Sequence, residues 1–213
     1  MSLAPANYDF GKASNYSFAA TITCANEDAR KTFVEGFGHM LNFNHEQAIA
    51  CYMKVAELDS DCAMAYWGIA YCVSSNYNWT PGLGSGFDPI QQAISLKAGC
   101  SELEQDLIDA LAARHSEEAR DAADPSVLNM GNTPELNAAF AAAMAPLYEK
   151  YKGNLDVAAI YVEALMNLKA WQLWDKNTET GEITPADDNT LTCVKVMEDA
   201  FENIAGAKEH IAL

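Results

Sequence analysis

Apolar residues recur at intervals of three and four along most of the chain, the period of a helix with one buried face. Phe33, Phe37, Met40 and Leu41 form the first such stripe. Asn26 stands ahead of it as an N-cap, and Glu27 and Asp28 complement the N-terminal dipole, so a helix is predicted from there to about Leu41. A second is predicted from His45 to about Leu58, with Asn44 as N-cap and Gln47 closing a capping box. A third, capped by Asp61, should run from Cys62 to about Ser75 and carry Met64, Tyr66, Trp67, Ile69 and Ala70.

The period breaks over 76–87, N-Y-N-W-T-P-G-L-G-S-G-F, which reads as an insertion loop of a length that is often functional. Asp88-Pro89 then opens a helix that stops at Gly99. Ser101 and Glu104 make a capping box for the next, with Leu103, Leu107, Ile108 and Leu111 on its inner face. Residues 116–132 are acidic and loop-like. Thr133-Pro134 starts a helix in which Pro146 should produce a kink or break, and Gly153 ends it. Asn154 caps L-D-V-A-A-I-Y-V-E-A-L-M-N-L, the most clearly amphipathic helix, and Thr184-Pro185 should open the last, running to about Ile204. Strands have almost no support. The prediction is an all-α fold of about eight helices stacked as antiparallel pairs. Residues 1–25 should form an extended leader pinned by Tyr8, Phe10, Tyr16 and Phe18, and residues 26–213 one helical domain.

Within this pattern, residues 28–71 match a tetratricopeptide (TPR) unit in part: Gly36 at the early small position, Ala48 and Tyr52 four apart, then Ala56, with Ser60 in place of the closing Pro. Small residues at Gly36 and Ala48 would let the first two helices cross closely. The chain also resembles a family of large tetratricopeptide-fold proteins from bacteria and fungi. The resemblance rests on F-N-H-E-Q-A-I at 43–49, D-C-A-M-A-Y-W-G-I-A at 61–70, N-Y-N at 76–78, L-I-D-A-L-A-A-R at 107–114, A-A-I-Y-V-E-A-L-M-N-L at 158–168 and W-Q-L-W-D at 171–175. It covers roughly 20–205 and implies a TPR-like right-handed α-solenoid. Members of that family continue into H-P-G-x-x-H-x-x-x-H; here His210 would stand at the first His and the later ones are absent.

Net charge is −17 with a sequence pI of about 4.4, which disfavours nucleic acid and anionic membranes as partners and leaves a basic peptide or a cation open. The six cysteines, at 24, 51, 62, 72, 100 and 193, include no C-x-x-C, so reduced, mostly buried thiols in a cytoplasmic protein are expected. No stretch approaches the roughly 20 apolar residues of a membrane span, and no secretory signal is evident.

No nucleophile motif, H-E-x-x-H or phosphate-binding loop is present, and G-L-G-S-G at 82–86 follows no strand. The candidate binding residues are His45, Trp67, Asn76, Asn78, Trp79, Trp171 and Trp174, with Tyr66, Tyr71 and Tyr77 as further groove aromatics. His39, His45 and Glu46, joined by His210, form the alternative metal set, since imidazole and carboxylate suit a divalent transition metal; His115 with Glu118 is a weaker pair. The first reading is a protein- or peptide-binding scaffold without catalysis or cofactor of its own. The second is the N-terminal part of a metal-dependent or small-molecule enzyme completed by a His-rich segment. Leu191, Val194, Val196, Met197, Phe201 and Ile204 spread around more than one side of the last helix, so an uncovered face and a homodimer through that end are expected.

Overall fold

The computed structural model describes residues 16–74, 76–78, 85–121 and 134–209. They form α1 (Glu27–Leu41), α2 (His45–Leu58), α3 (Ala63–Val73), α4 (Phe87–Leu96), α5 (Glu102–Ala112), α6 (Glu117–Asp121), α7 (Pro134–Lys150), α8 (Leu155–Met166) and α9 (Asp188–Asn203). Except at the short α6, successive helices pack on one another, and α5 also packs on α7 and α3. Among the described residues no helix is long and apolar enough to cross a membrane.

The predicted caps at Asn26, Ser101 and Asn154 form: each side chain accepts backbone N–H groups of its helix's first turn, and Ser101 and Glu104 close a full capping box. Four boundary expectations are corrected. Asn44 makes no cap bond, because its amide is turned to His39. The third helix begins behind Cys62 rather than at an Asp61 cap. Asp88 lies inside the first turn of α4, whose N-cap is Gly86. Thr184-Pro185 belongs to a strand, and Asp187 caps α9 instead, accepting from the Thr190 amide at 2.8 Å.

That strand is itself a further correction, since strands were not expected. β1 (Trp174–Lys176) and β2 (Ile183–Pro185) pair antiparallel, with Asp175 opposite Thr184, in a small exposed hairpin between α8 and α9. α7 continues through Pro146 without a break. α8 is not amphipathic: every residue from Leu155 to Leu165 is buried, as befits a helix surrounded by its neighbours. It carries a buried carboxylate near each end, Asp156 and Glu163.

The core runs through α1, α2, α3, α5, α7 and α8, with Phe33, Phe37, Tyr52, Trp67, Tyr71 and Phe140 at its centre. Two small residues set close approaches within this core. A Cβ at Gly36 would stand 2.9 Å from Cys51 Cβ, and one at Gly68 would stand 2.6 Å from the Tyr52 ring. The α1–α2 crossing expected at Gly36 and Ala48 is thus present, with Ala48 fully buried.

The described part of the leader, 16–25, crosses one end of the stack as a strap. Tyr16 and Phe18 set their ring edges against Phe37 at 5.1 and 5.2 Å. Three helix-end carboxylates hold its backbone. Asp156 accepts from the Phe18 amide at 2.7 Å, Glu104 from the Thr23 amide at 2.7 Å, and Asp59 from the Ala25 amide at 2.7 Å. Tyr8 and Phe10 lie outside the described residues. At the other side α9 packs through Cys193, Val196 and Ala200, while Phe201 and Ile204 are partly covered by Leu155 and Ala207. The uncovered apolar face expected on α9 is thereby reduced, and its large exposed apolar residue is Leu191.

Candidate functional site

Because successive helices reverse direction, the α1–α2 turn, the α3–α4 and α8–α9 connections and the C-terminal end of α5 gather at the end opposite the strap. Just beneath them lies a buried polar cluster. His45, the first residue of α2, places Nδ1 3.1 Å from the Cys72 carbonyl at the end of α3. A carbonyl only accepts, so Nδ1 carries the proton and Nε2 is left as a lone pair. The Asn76 amide nitrogen lies 3.5 Å from the same Nδ1, too far to compete, because Asn76 Oδ1 is committed to the Asn78 amide at 2.8 Å. His45 Nε2 is buried and has no hydrogen-bond partner among the described residues.

Behind His45 sits an ionic core. The Tyr71 hydroxyl donates to Glu163 at 2.5 Å. Arg114, at the C-terminal end of α5, is buried over the Phe140 ring at 5.5 Å and the Tyr71 ring at 6.0 Å, and donates from Nε to Asn137 at 2.9 Å. Burial lowers the Arg114 pKa, opposed by Tyr71 and Glu163; burial and then Glu163 push the Tyr71 hydroxyl far up. His45 is held below its ordinary value by burial, partly offset by Glu163. His115 is pushed down to about 3, by burial and then by Arg114, and its buried Nε2 also lacks a partner among the described residues. Both imidazoles are therefore neutral at pH 7. Gly86 is required beside His115, since a Cβ there would meet its ring and stand 2.7 Å from the Ala70 carbonyl.

Aromatics rim the cluster. Phe43 stacks on His45 at 6.2 Å between ring centres, and Trp171 stacks on Tyr77 at 5.5 Å. Phe43 and Trp171 have φ of 58° and 63°, and they are the non-glycine residues with positive φ among those described. A bulky side chain in that region costs about 1–2 kcal/mol relative to ordinary backbone, and such strain concentrates at functional sites. Phe43 occupies the position after the α1 C-cap where glycine is usual.

Of the residues singled out in the sequence, the structure sets Asn76 beside His45 and bonds it to Asn78, and it stacks Trp171 on Tyr77. Trp67 is corrected: it is buried in the core with its indole N–H donating to the Leu107 carbonyl at 3.1 Å, and has no face for a ligand. Trp174 is exposed on the hairpin. Trp79 and His210 lie outside the described residues. The metal set His39, His45 and Glu46 does not converge, because His45 faces Cys72, Glu46 is exposed, and His39 faces Glu35 at 4.0 Å. Arg114 and Glu163 were missed; the readable signal for Glu163 is a single charge in the otherwise apolar run 157–166, which burial tolerates only when paired, while Arg114 follows the acidic α5 and carries no such signal.

No family model, curated protein or solved structure matches this chain.

Proposed function

We propose that the chain is a TPR-like right-handed α-solenoid module that binds a protein or peptide segment at its loop end. The packed helix pairs and the Gly36–Ala48 crossing support the solenoid reading, together with the tetratricopeptide-like motifs. The observation that carries the binding reading is the pair Phe43 and Trp171, two exposed aromatics held in strained backbone, one stacked on His45 and the other on Tyr77 next to Asn76. Exposed aromatics of this kind anchor partners by burying a large rigid surface. Beneath Phe43, His45 Nε2 is a buried lone pair with no hydrogen-bond partner among the described residues. The net charge of −17 favours a basic segment with an apolar or aromatic anchor.

The test is a displayed-peptide selection at about 150 mM salt, near physiological ionic strength, run on the native chain and on Trp171→Ala and Phe43→Ala. Basic peptides with an apolar anchor should be enriched by the native chain and lost with either variant. No enrichment, or the same peptides retained by both variants, would contradict the reading.

A further inference from the structure

α1 and α2 face each other with two pairs of side chains spaced four apart, Glu35 and His39 on one, Gln47 and Cys51 on the other. That spacing puts each pair on a single helix face. Gly36 lets the faces close, since a Cβ there would touch Cys51 Cβ at 2.9 Å. As a result a Glu35 carboxylate oxygen, a His39 ring nitrogen and Cys51 Sγ lie within 4.8 Å of one another, the one such trio of ligand types among the described residues.

His39 is oriented from behind. Its Nε2 side faces Glu35, and its Nδ1 meets the Asn44 side-chain amide at 3.3 Å. Asn44 gives up the cap of α2 to make this contact. The structure places the Asn44 amide nitrogen toward the ring; with the amide turned over so that its oxygen faces Nδ1, Nδ1–H is donated and Nε2 becomes a lone pair aimed at the trio. Metal-bound imidazoles are fixed by such an outer hydrogen bond.

We propose that Glu35, His39 and Cys51 bind a zinc-class divalent ion, with water in the fourth position. Thiolate with imidazole selects a borderline-soft transition metal over magnesium or calcium. Tetrahedral donors at about 2.0–2.3 Å from zinc lie about 3.5 Å apart, so the trio closes by about an ångström on binding. The Cys51 thiol releases its proton to solvent as the ion enters, leaving one thiolate and one carboxylate against two positive charges. No net charge is then buried. The site is separate from His45 and does not depend on the peptide-binding reading.

The test is a cobalt(II) titration of the tag-free chain, kept reduced with a phosphine. A thiolate-to-cobalt charge-transfer band in the near ultraviolet should saturate at about one ion per chain and be displaced by zinc, as expected for a thiolate site. Cys51→Ala should abolish it, while Cys24→Ala and Cys62→Ala keep it. Glu35→Gln, at a partly exposed position, and Asn44→Ala should each weaken binding about 10- to 100-fold, the second through loss of the outer hydrogen bond. Absence of the band, its survival in Cys51→Ala, or unchanged affinity in Glu35→Gln would overturn the proposal.

Discussion

At the strap end the connections are short and each supplies a carboxylate that accepts backbone N–H groups: Asp59, Glu104 and Asp156. At the loop end the α3–α4 and α8–α9 connections are long, two backbone positions are strained, and the His45 and His115 Nε2 atoms are buried without partners among the described residues. The same helices build both ends, and α8 reaches both through Asp156 and Glu163. Polar atoms at the first end are spent on holding the chain together. At the second, two buried imidazole nitrogens have no partner among the described residues, and this contrast is what the proposed recognition surface rests on.

Removing the Asp156 carboxylate is the largest expected perturbation of this contrast. Asp156→Ala leaves the buried Phe18 and Ala19 amides without their acceptor, and should cost about 3 kcal/mol in urea denaturation. The strap should then become a protease site. Retained stability and an uncut strap would show that the carboxylate is not what holds it.

Overpacking tests the crossings that position both ends. Ala48→Leu should cost about 1–3 kcal/mol, and Gly86→Ala a similar amount by pushing on His115 and the Ala70 carbonyl. The first should leave the imidazole signals of His115 in place, and the second should move them. A shift in neither would mean the α4 start does not pack on His115 as described.

The ends should also separate by pH. His45 and His115 have folded pKa values below the ordinary value near 6.5, so unfolding takes up protons. Their contribution is full above pH 6.5 and is lost as pH falls, down to about 3 for His115. Each adds a slope of up to about 1.4 kcal/mol per pH unit. Burial alone would raise Asp59, but bonds from Cys24, Ala25, Asp61 and Asn26 win and depress it, so its contribution persists until pH falls below about 3.8. Hydrogen exchange between pH 6.5 and 4 should therefore loosen the loop end first. Simultaneous loosening of both ends would break the distinction.

The structural end was largely legible in the sequence, because local chemistry decides it. Asn26, Ser101 and Asn154 cap their helices whatever surrounds them, and Gly36 and Ala48 announce a close crossing. The loop end was legible only in fragments. His45, Asn76, Asn78 and Trp171 stood out, but Arg114 and Glu163 acquire meaning only when α5, α7 and α8 bring them to Tyr71. Asn44 looked like a cap because nothing in the local sequence reveals that His39 competes for its side chain. α8 looked amphipathic because Asp156 and Glu163 are polar, although both are buried and paired across long range.

The smallest expected effect concerns strain. Phe43→Gly suits φ of 58° and relieves about 1 kcal/mol or more, offset in part by loss of the stacking on His45. Thermal stability should be unchanged or slightly raised while peptide binding falls. A clear loss of stability would mean that Phe43 is held for packing.

The most direct test of the loop-end account is the protonation state of His45, read by long-range proton–nitrogen NMR of the imidazoles at pH 7 and through a titration. The account predicts a neutral ring protonated at Nδ1, a bare Nε2, and a pKa below 6.5. A ring protonated at Nε2, or one titrating at or above 6.5, would contradict it.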